Sequence, residues 1–375
     1  MISFATDKQL SFLNINFNFI DQRIIMKGNY LAAQRVYNQH IYNPQFSNPE
    51  DVVKHMVAMQ AQDYAGAKWA VALRMPNTSE EVIEQAITDG KILRTHLLRP
   101  TWHFVSPQDI RWILALTAPR INAINAAMSK KFELTNHIFA KSNAVLEKAM
   151  AGNKQLTRPE LVNVFEQAGI ATDELRFTIL LMRAELDQVI CNGGRVGKQF
   201  TYALLDDRAP LTPTLTREEA LNKLALGYFN SRGPATLHDF ANWCGLTVTD
   251  AGIGLEHVKS QLISEVIDGR TYWMPNNTKE MPSPKTKAYL LPAFDEFAIA
   301  YKDRDALVNP KYLKQTRHVI FDPAIVVDNQ VVGTWKRTLK AKSVDVHLNL
   351  FGPLNKAQEK AVEKAVSSYR KFLFT

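Results

Sequence analysis

The 375-residue chain has few of the residues that advertise a mechanism. It carries two cysteines, Cys191 and Cys244, far apart and each in apolar company. They make no disulfide framework and fit a reducing compartment, so a cytoplasmic, nucleoid-associated protein is expected. No uninterrupted apolar run approaches the ~18–20 residues of a membrane helix, and no membrane partner is expected. Blocks of like charge are missing as well. Lys and Arg number 45 against 37 acids, a net charge of +8, yet no long run of Lys/Arg occurs. Any basic surface must therefore be assembled by folding, and the excess is compatible with a polyanionic partner. The nine histidines are scattered, with neither a His-Glu-x-x-His zinc pattern nor a nucleophile elbow, so no metal and no cofactor are expected. A phosphate loop is excluded at Gly193-Gly194-Arg195-Val196-Gly197-Lys198. Asn192 stands where the first glycine belongs, and Gln199 replaces the Ser or Thr.

What is present is a recurring order of helices and a hairpin. Thr216 with Glu219 makes a capping box for a helix reaching about Ser231, and Gly233-Pro234 breaks it. Thr236 caps a second helix that ends near Gly245. Thr249 is read as the cap of a third, with Leu255, Val258 and Leu262 as its apolar stripe. Asp268-Gly269 between β-formers then signals a hairpin. This is the order of a winged helix-turn-helix. The preceding stretch repeats it: a capping box at Thr157 and Glu160, then a helix over 173–188 with Leu175, Ile179, Met182 and Leu186 on one face. A hairpin follows, with its turn at Asn192-Gly193-Gly194. A looser copy comes first, with helix starts at Asn48-Pro49 and Ser79-Glu80-Glu81 and strands over 92–98 and 101–105 around Pro100. After about residue 280 the pattern changes. Strands are expected at 287–291, 324–327, 331–335 and 344–350, with Asp328-Asn329-Gln330 as a turn and a closing helix capped by Asn355 and Gln358.

The expected fold class is α+β. An N-terminal extension (1–27) precedes three tandem winged helix-turn-helix units (28–135, 136–212 and 213–278) and a C-terminal α+β portion (279–375). In the extension, Ile15, Phe17 and Phe19 alternate with Asn14, Asn16 and Asn18, a strand-like period rather than a signal-peptide core.

The first candidate for chemistry is Gln60-Ala61-Gln62, placed at the end of the helix begun at Pro49. Residues two apart diverge by about 200° on a helix but share a face when extended. If both glutamines act together, the helix must end or distort near Gln60. The bland alternative is a pair of polar residues satisfying a helix end. Asp63 is read as a C-terminal polar cap or a salt-bridge partner. In the first hairpin, Arg94, His96, Arg99 and His103 are candidate phosphate contacts, with a satisfied structural histidine equally open for His103. A hairpin turn would present Arg195 and Lys198 to the same backbone. Asp295, Glu296, Asp303 and Asp305 are read as structural ion-pair partners, because no His or Cys stands at ligand spacing.

Met59-Gln60-Ala61-Gln62-Asp63 resembles the glutamine motif of the AlkZ-like winged-helix DNA glycosylases, in its Gln-x-Gln branch. Other stretches resemble the same family in the same order: residues 97–105, residues 181–186 running into 197–204, Arg232-Gly233-Pro234-Ala235-Thr236, residues 291–296 and Gly333-Thr334-Trp335-Lys336-Arg337. The resemblance covers residues 28–372. It implies three winged helices closing around duplex DNA, with base excision at Gln60 and Gln62. The expected function is a monofunctional glycosylase acting as a monomer on damaged double-stranded DNA. The expected substrates are purines alkylated at N7 or N3, with bulky adducts or interstrand crosslinks in scope. Such chemistry is sensible for amides. Glutamine does not titrate near neutral pH, but it accepts and donates hydrogen bonds. A cationic purine already leaves readily, so positioning water and offering dipoles suffices. The competing expectation is a non-enzymatic winged-helix regulator. Against it, residues 250–262 offer only Asp250, Glu256, His257, Lys259 and Gln261 for base readout.

Overall fold

Side-chain caps place most of the helix starts. In the computed structural model, which describes residues 29–276, 286–312 and 321–374, reciprocal capping boxes at Thr157/Glu160 and Thr216/Glu219 open helices Arg158–Gln167 and Arg217–Arg232. Thr236 and Asp239 do the same for Leu237–Cys244, which Gly245 ends at φ +70°. A Cβ at Gly245 would lie 2.6 Å from the Leu98 carbonyl oxygen, so glycine serves both the left-handed backbone and the close approach. The next helix, Val248–Val258, is capped by Thr247 rather than Thr249. The closing helix Lys356–Phe374 begins with the expected exchange between Asn355 and Gln358. The alternating segment at residues 14–19 lies outside the described residues.

The architecture mixes helix and sheet. Strands β1 (Ala58–Gln60), β2 (Leu93–Leu97) and β3 (Thr101–Val105) form an antiparallel sheet with β3 in the middle. Strands β4 (Leu156–Thr157), β5 (Ile190–Val196) and β6 (Gln199–Leu204) form a second, with β6 central. Strands β7 (Leu262–Ile267) and β8 (Arg270–Pro275) pair around Asp268-Gly269. In the C-terminal part, β9 (Ala288–Leu291), β10 (Ala324–Val327), β11 (Gln330–Leu339) and β12 (Val344–Leu350) make a sheet ordered β12-β11-β10-β9.

The second hairpin turns later than expected. Asn192-Gly193-Gly194 lies inside β5, where the register shifts between Asn192 and Arg195. A Cβ on Gly193 would meet Thr201 Oγ1 at 2.5 Å, and Gly194 N donates to Gln155 Oε1 at 2.7 Å. The glycines thus allow close approach at a bulge, and the turn falls at Gly197-Lys198. Helix Glu174–Leu186 is also rotated from its expected stripe. It buries Phe177, Leu180, Leu181 and Ala184 along with Leu186 of the expected stripe, whereas Leu175 is exposed and Ile179 and Met182 are half-buried. Apolar residues cover more than one face of this helix, and packing against Leu146, Leu161 and Phe165 selects the buried one.

The first sheet is covered on both faces by distant parts of the chain. Ala58, Leu93, Leu97 and Val105 join Leu224, Tyr228, Phe229, Phe240 and Trp243 in one buried cluster. Met59 and Phe104, on the opposite face, join Trp69, Leu290, Ile325, Trp335 and Tyr369 in another. Strand β1 therefore sits at a junction of the molecule.

Candidate active site

The helix begun at Pro49 ends at His55, five residues before Gln60. Met56 is its cap, Val57 turns the chain at φ +60°, and β1 follows. The required break therefore comes earlier than expected, and Gln60 lies in extended backbone. Strand β1 is an edge strand of three residues, paired Ala58 to Val105, Met59 to Phe104 and Gln60 to His103. Ala61 N extends the pairing by donating to the Trp102 carbonyl at 2.7 Å.

The backbone groups of this edge that are left without a strand partner must find others, since burying them unpaired is costly. Three charged side chains supply them. Arg232, 0% exposed, donates to the Met56 carbonyl at 2.8 Å and the Ala58 carbonyl at 2.7 Å. Glu296, 1% exposed, accepts from Gln60 N through Oε1 at 2.9 Å. Its Oε2 accepts from Arg232 Nη2 at 2.8 Å and Trp243 Nε1 at 3.0 Å. Arg94 donates to the Ala61 carbonyl from Nε at 3.2 Å and Nη2 at 3.1 Å. Burial lowers the Arg94 guanidinium to about 10, which still leaves it charged at neutral pH.

The two glutamines differ in setting. Gln62 is exposed, and its Oε1 accepts from Trp102 N at 3.4 Å. Gln60 is half-buried, and its Oε1 is shielded from solvent without a donor. The neighbouring carboxylates are committed elsewhere. Asp63 accepts from Gly66 N at 3.1 Å and caps the start of helix Tyr64–Ala72, not the end of the preceding helix as expected. Both oxygens of Glu296 are engaged as described. Asp63→Asn keeps a capping acceptor and removes the carboxylate, so we expect turnover close to that of the wild type. An activity loss in the Asn variant comparable to loss of a glutamine would reassign Asp63 to the chemistry.

The model of the DNA glycosylase AlkZ-like family matches residues 53–372. The chain belongs to this family. A curated relative, an interstrand DNA cross-link repair glycosylase of Streptomyces sahachiroi, is 24% identical over 320 residues, covering 81% of this chain and 86% of the relative. The solved structure of Streptomyces sahachiroi DNA glycosylase AlkZ shares the fold, with a TM-score of 0.76 at 22% identity over 92% of this chain and 96% of that one.

In this AlkZ-like chain three of the expected DNA contacts are turned inward, which is a correction. Arg94 is 6% exposed and, besides Ala61, bonds Asn192 Oδ1 at 2.8 Å and lies 4.0 Å over the Trp102 ring. His96 is buried, pairs through Nδ1 with Glu185 and packs on Trp102 at 3.9 Å. His103 is 0% exposed. Two faces are involved: Glu185 and Asn192, from the second helix–hairpin group, cover Arg94 and His96, whereas His103 lies on the face of Ala58 and Val105, which packs on Tyr228 and Trp243. Arg94 and His96 therefore serve to hold the glutamine segment and its neighbour strand. Arg99 is half-buried with Nη1 3.5 Å from the Asn242 carbonyl, Arg195 is half-buried at 3.8 Å from Glu84, and Lys198 is exposed at the hairpin turn. The acidic stretch divides among arginines, Asp295 with Arg74, Glu296 with Arg232 and Asp303 with Arg270. The sequence marks Arg232 only as a member of a family-like stretch, whereas Glu296 is also expected as a structural ion-pair partner, which it is. Their joint hold on β1 needs the fold to bring residues 64 positions apart together.

Proposed function

We propose that this chain is a monofunctional DNA glycosylase that hydrolyses the N-glycosidic bond of purines made cationic by alkylation, with Gln60 and Gln62 as its catalytic residues. The observation that carries the reading is the Gln60-Ala61-Gln62 segment, in which strand β1 ends at Gln60 and the chain bends at Gln62. Its backbone is clamped by Arg94, Arg232 and Glu296, and its neighbouring carboxylates are already bonded. A leaving group that is already charged needs no acid. What remains is to place a water and to set dipoles against the cationic sugar, and amides carried on a held backbone can do both. The helix–hairpin groups at 28–135, 136–212 and 213–278 are read as three tandem winged helices. With the 279–375 portion they would cradle duplex DNA and bring it to the glutamines.

Of the cations expected to contact the DNA backbone, Arg99, Arg195 and Lys198 remain candidates. Lys198→Ala should weaken duplex binding equally for all sequences and reduce the salt slope of log K by about 1, as loss of one phosphate contact does. An unchanged slope removes Lys198 from the interface.

The relative named as a cross-link repair glycosylase extends the substrate range to be tested. The wild-type protein is incubated with duplexes carrying either 7-methylguanine or an N7–N7 alkyl interstrand crosslink. Free base and an abasic site are expected from the first, and separated strands from the second. Release from the monoadduct alone restricts the reading to small lesions. Sequence-specific duplex binding with no release from either favours a regulator.

A further inference from the structure

Gln60 and His103 are opposite each other in the register of β1 and β3. The Trp102 carbonyl bonds Ala61 N, so the backbone groups of Trp102 point to β1 and those of His103 point the other way, to β2. Gln60 N likewise turns away, to Glu296. Gln60 and His103 thus form a non-hydrogen-bonded pair, the closer of the two kinds, with side chains on one face and Cα atoms about 4.5 Å apart. Each of these side chains has a polar atom shielded from solvent and without a partner: Oε1 of Gln60 and Nε2 of His103.

The tautomer of His103 follows from its other nitrogen. Nδ1 lies 2.8 Å from the Thr101 carbonyl. A carbonyl only accepts, so Nδ1 carries the hydrogen and Nε2 of the neutral ring is a bare lone pair. Burial first, and the Arg99 charge next, lower His103 to about 3 and keep the ring neutral. An amide oxygen facing that lone pair sets acceptor against acceptor. A half-turn of the amide about its terminal bond exchanges oxygen and nitrogen and leaves the rest of the side chain in place.

We propose that His103 is a positioning residue for Gln60: its Nε2 takes an N–H of the half-turned Gln60 amide and so directs the Gln60 carbonyl outward, toward the DNA. The proposal rests on the reading of Gln60 as catalytic. It gives the two glutamines opposite polarity. Trp102 N holds the Gln62 carbonyl and leaves its NH2 outward, while Gln60 presents an acceptor. An outward Gln60 carbonyl can accept from the attacking water and favours positive charge on the sugar, while the outward NH2 of Gln62 can donate to an oxygen of the water or of the DNA. Besides Thr101 Oγ1, which is likewise unpartnered two residues along β3, Thr95 is another candidate donor to Nε2. It is opposite His103 on β2, and its Oγ1 also lacks a partner. That pair is the hydrogen-bonded, wider kind, so Gln60 is the nearer neighbour.

Two measurements on the full chain test this. Histidine 15N NMR of the free wild-type protein is expected to show His103 protonated on Nδ1 with Nε2 accepting a hydrogen bond. The Gln60 NH2 signal, assigned by its loss in Gln60→Ala, is expected to shift in His103→Phe. A hydrogen on Nε2 overturns the proposal without reference to activity. In single-turnover release of 7-methylguanine, His103→Phe is expected to lose about 10²-fold in rate with duplex Kd changed less than about two-fold, the signature of a misplaced group rather than lost binding. His103→Gln, which can offer an acceptor, recovers part of the rate. Full turnover by His103→Phe, or an equal loss in Thr95→Val, overturns the assignment. A wild-type protein that releases no base defeats the glycosylase reading, and the NMR result then decides the amide alone.

Discussion

Gln62→Ala and Gln60→Ala are each expected to lower single-turnover release of an N7-alkylated guanine by about 10²–10³-fold, the usual consequence of removing one preorganised dipole. Duplex affinity stays near that of the wild type, because neither side chain carries charge to meet a phosphate. Of the two, Gln62 is exposed and so the more accessible to a bound duplex. Gln60 is half-buried and paired in register with His103, so its replacement also disturbs the face behind it. The two losses should combine to less than their product, since residues that orient one water act as a unit. Comparison of release rate with duplex Kd for each variant checks this. Full activity in both single variants removes the segment from the mechanism.

The second large effect is on stability. Glu296→Ala leaves the guanidinium of Arg232 buried without its counter-charge, and leaves Gln60 N and Trp243 Nε1 without an acceptor. Breaking a buried pair from one side costs about 3–5 kcal/mol, which is a large share of a typical folding free energy of ~5–15 kcal/mol. Arg232→Met has a similar cost, since the Met56 and Ala58 carbonyls lose their donors. The double variant should lose less than the sum, with a coupling of about 0.5–3 kcal/mol, because the uncompensated charge is gone. Denaturant unfolding of the four proteins measures this cycle. Additive losses would mean that the pair does not act as one clamp.

Much of the fold was legible because local chemistry wrote it. The capping boxes at Thr157/Glu160 and Thr216/Glu219, the Asp268-Gly269 hairpin and the Asn355/Gln358 start all appear where side-chain spacing placed them. The failures have physical causes. Thr247 and Thr249 both offer hydroxyls, and only packing chooses the first. Asn192-Gly193-Gly194 reads as a turn, but the glycines are needed for a bulge against Gln155 and Thr201. In the site, the need for extended backbone at Gln60 followed from the spacing of the two glutamines. Inward burial of Arg94, His96 and His103 did not, because the residues that cover them come from other parts of the chain. Edge-strand backbone groups satisfied by Arg232 and Glu296 are likewise a tertiary solution, invisible to periodicity.

We propose excision of a cationic base by two amides, Gln60 at the end of the clamped strand β1 and Gln62 two residues beyond it. Its most direct test is the yield of free base and abasic sites from a 7-methylguanine duplex, measured with saturating protein for the wild type and for the Gln60→Ala/Gln62→Ala double variant. The account predicts equal amounts of base and abasic site from the wild type, and spontaneous loss alone from a double variant that still binds the duplex. Release by that double variant at the wild-type rate would contradict it.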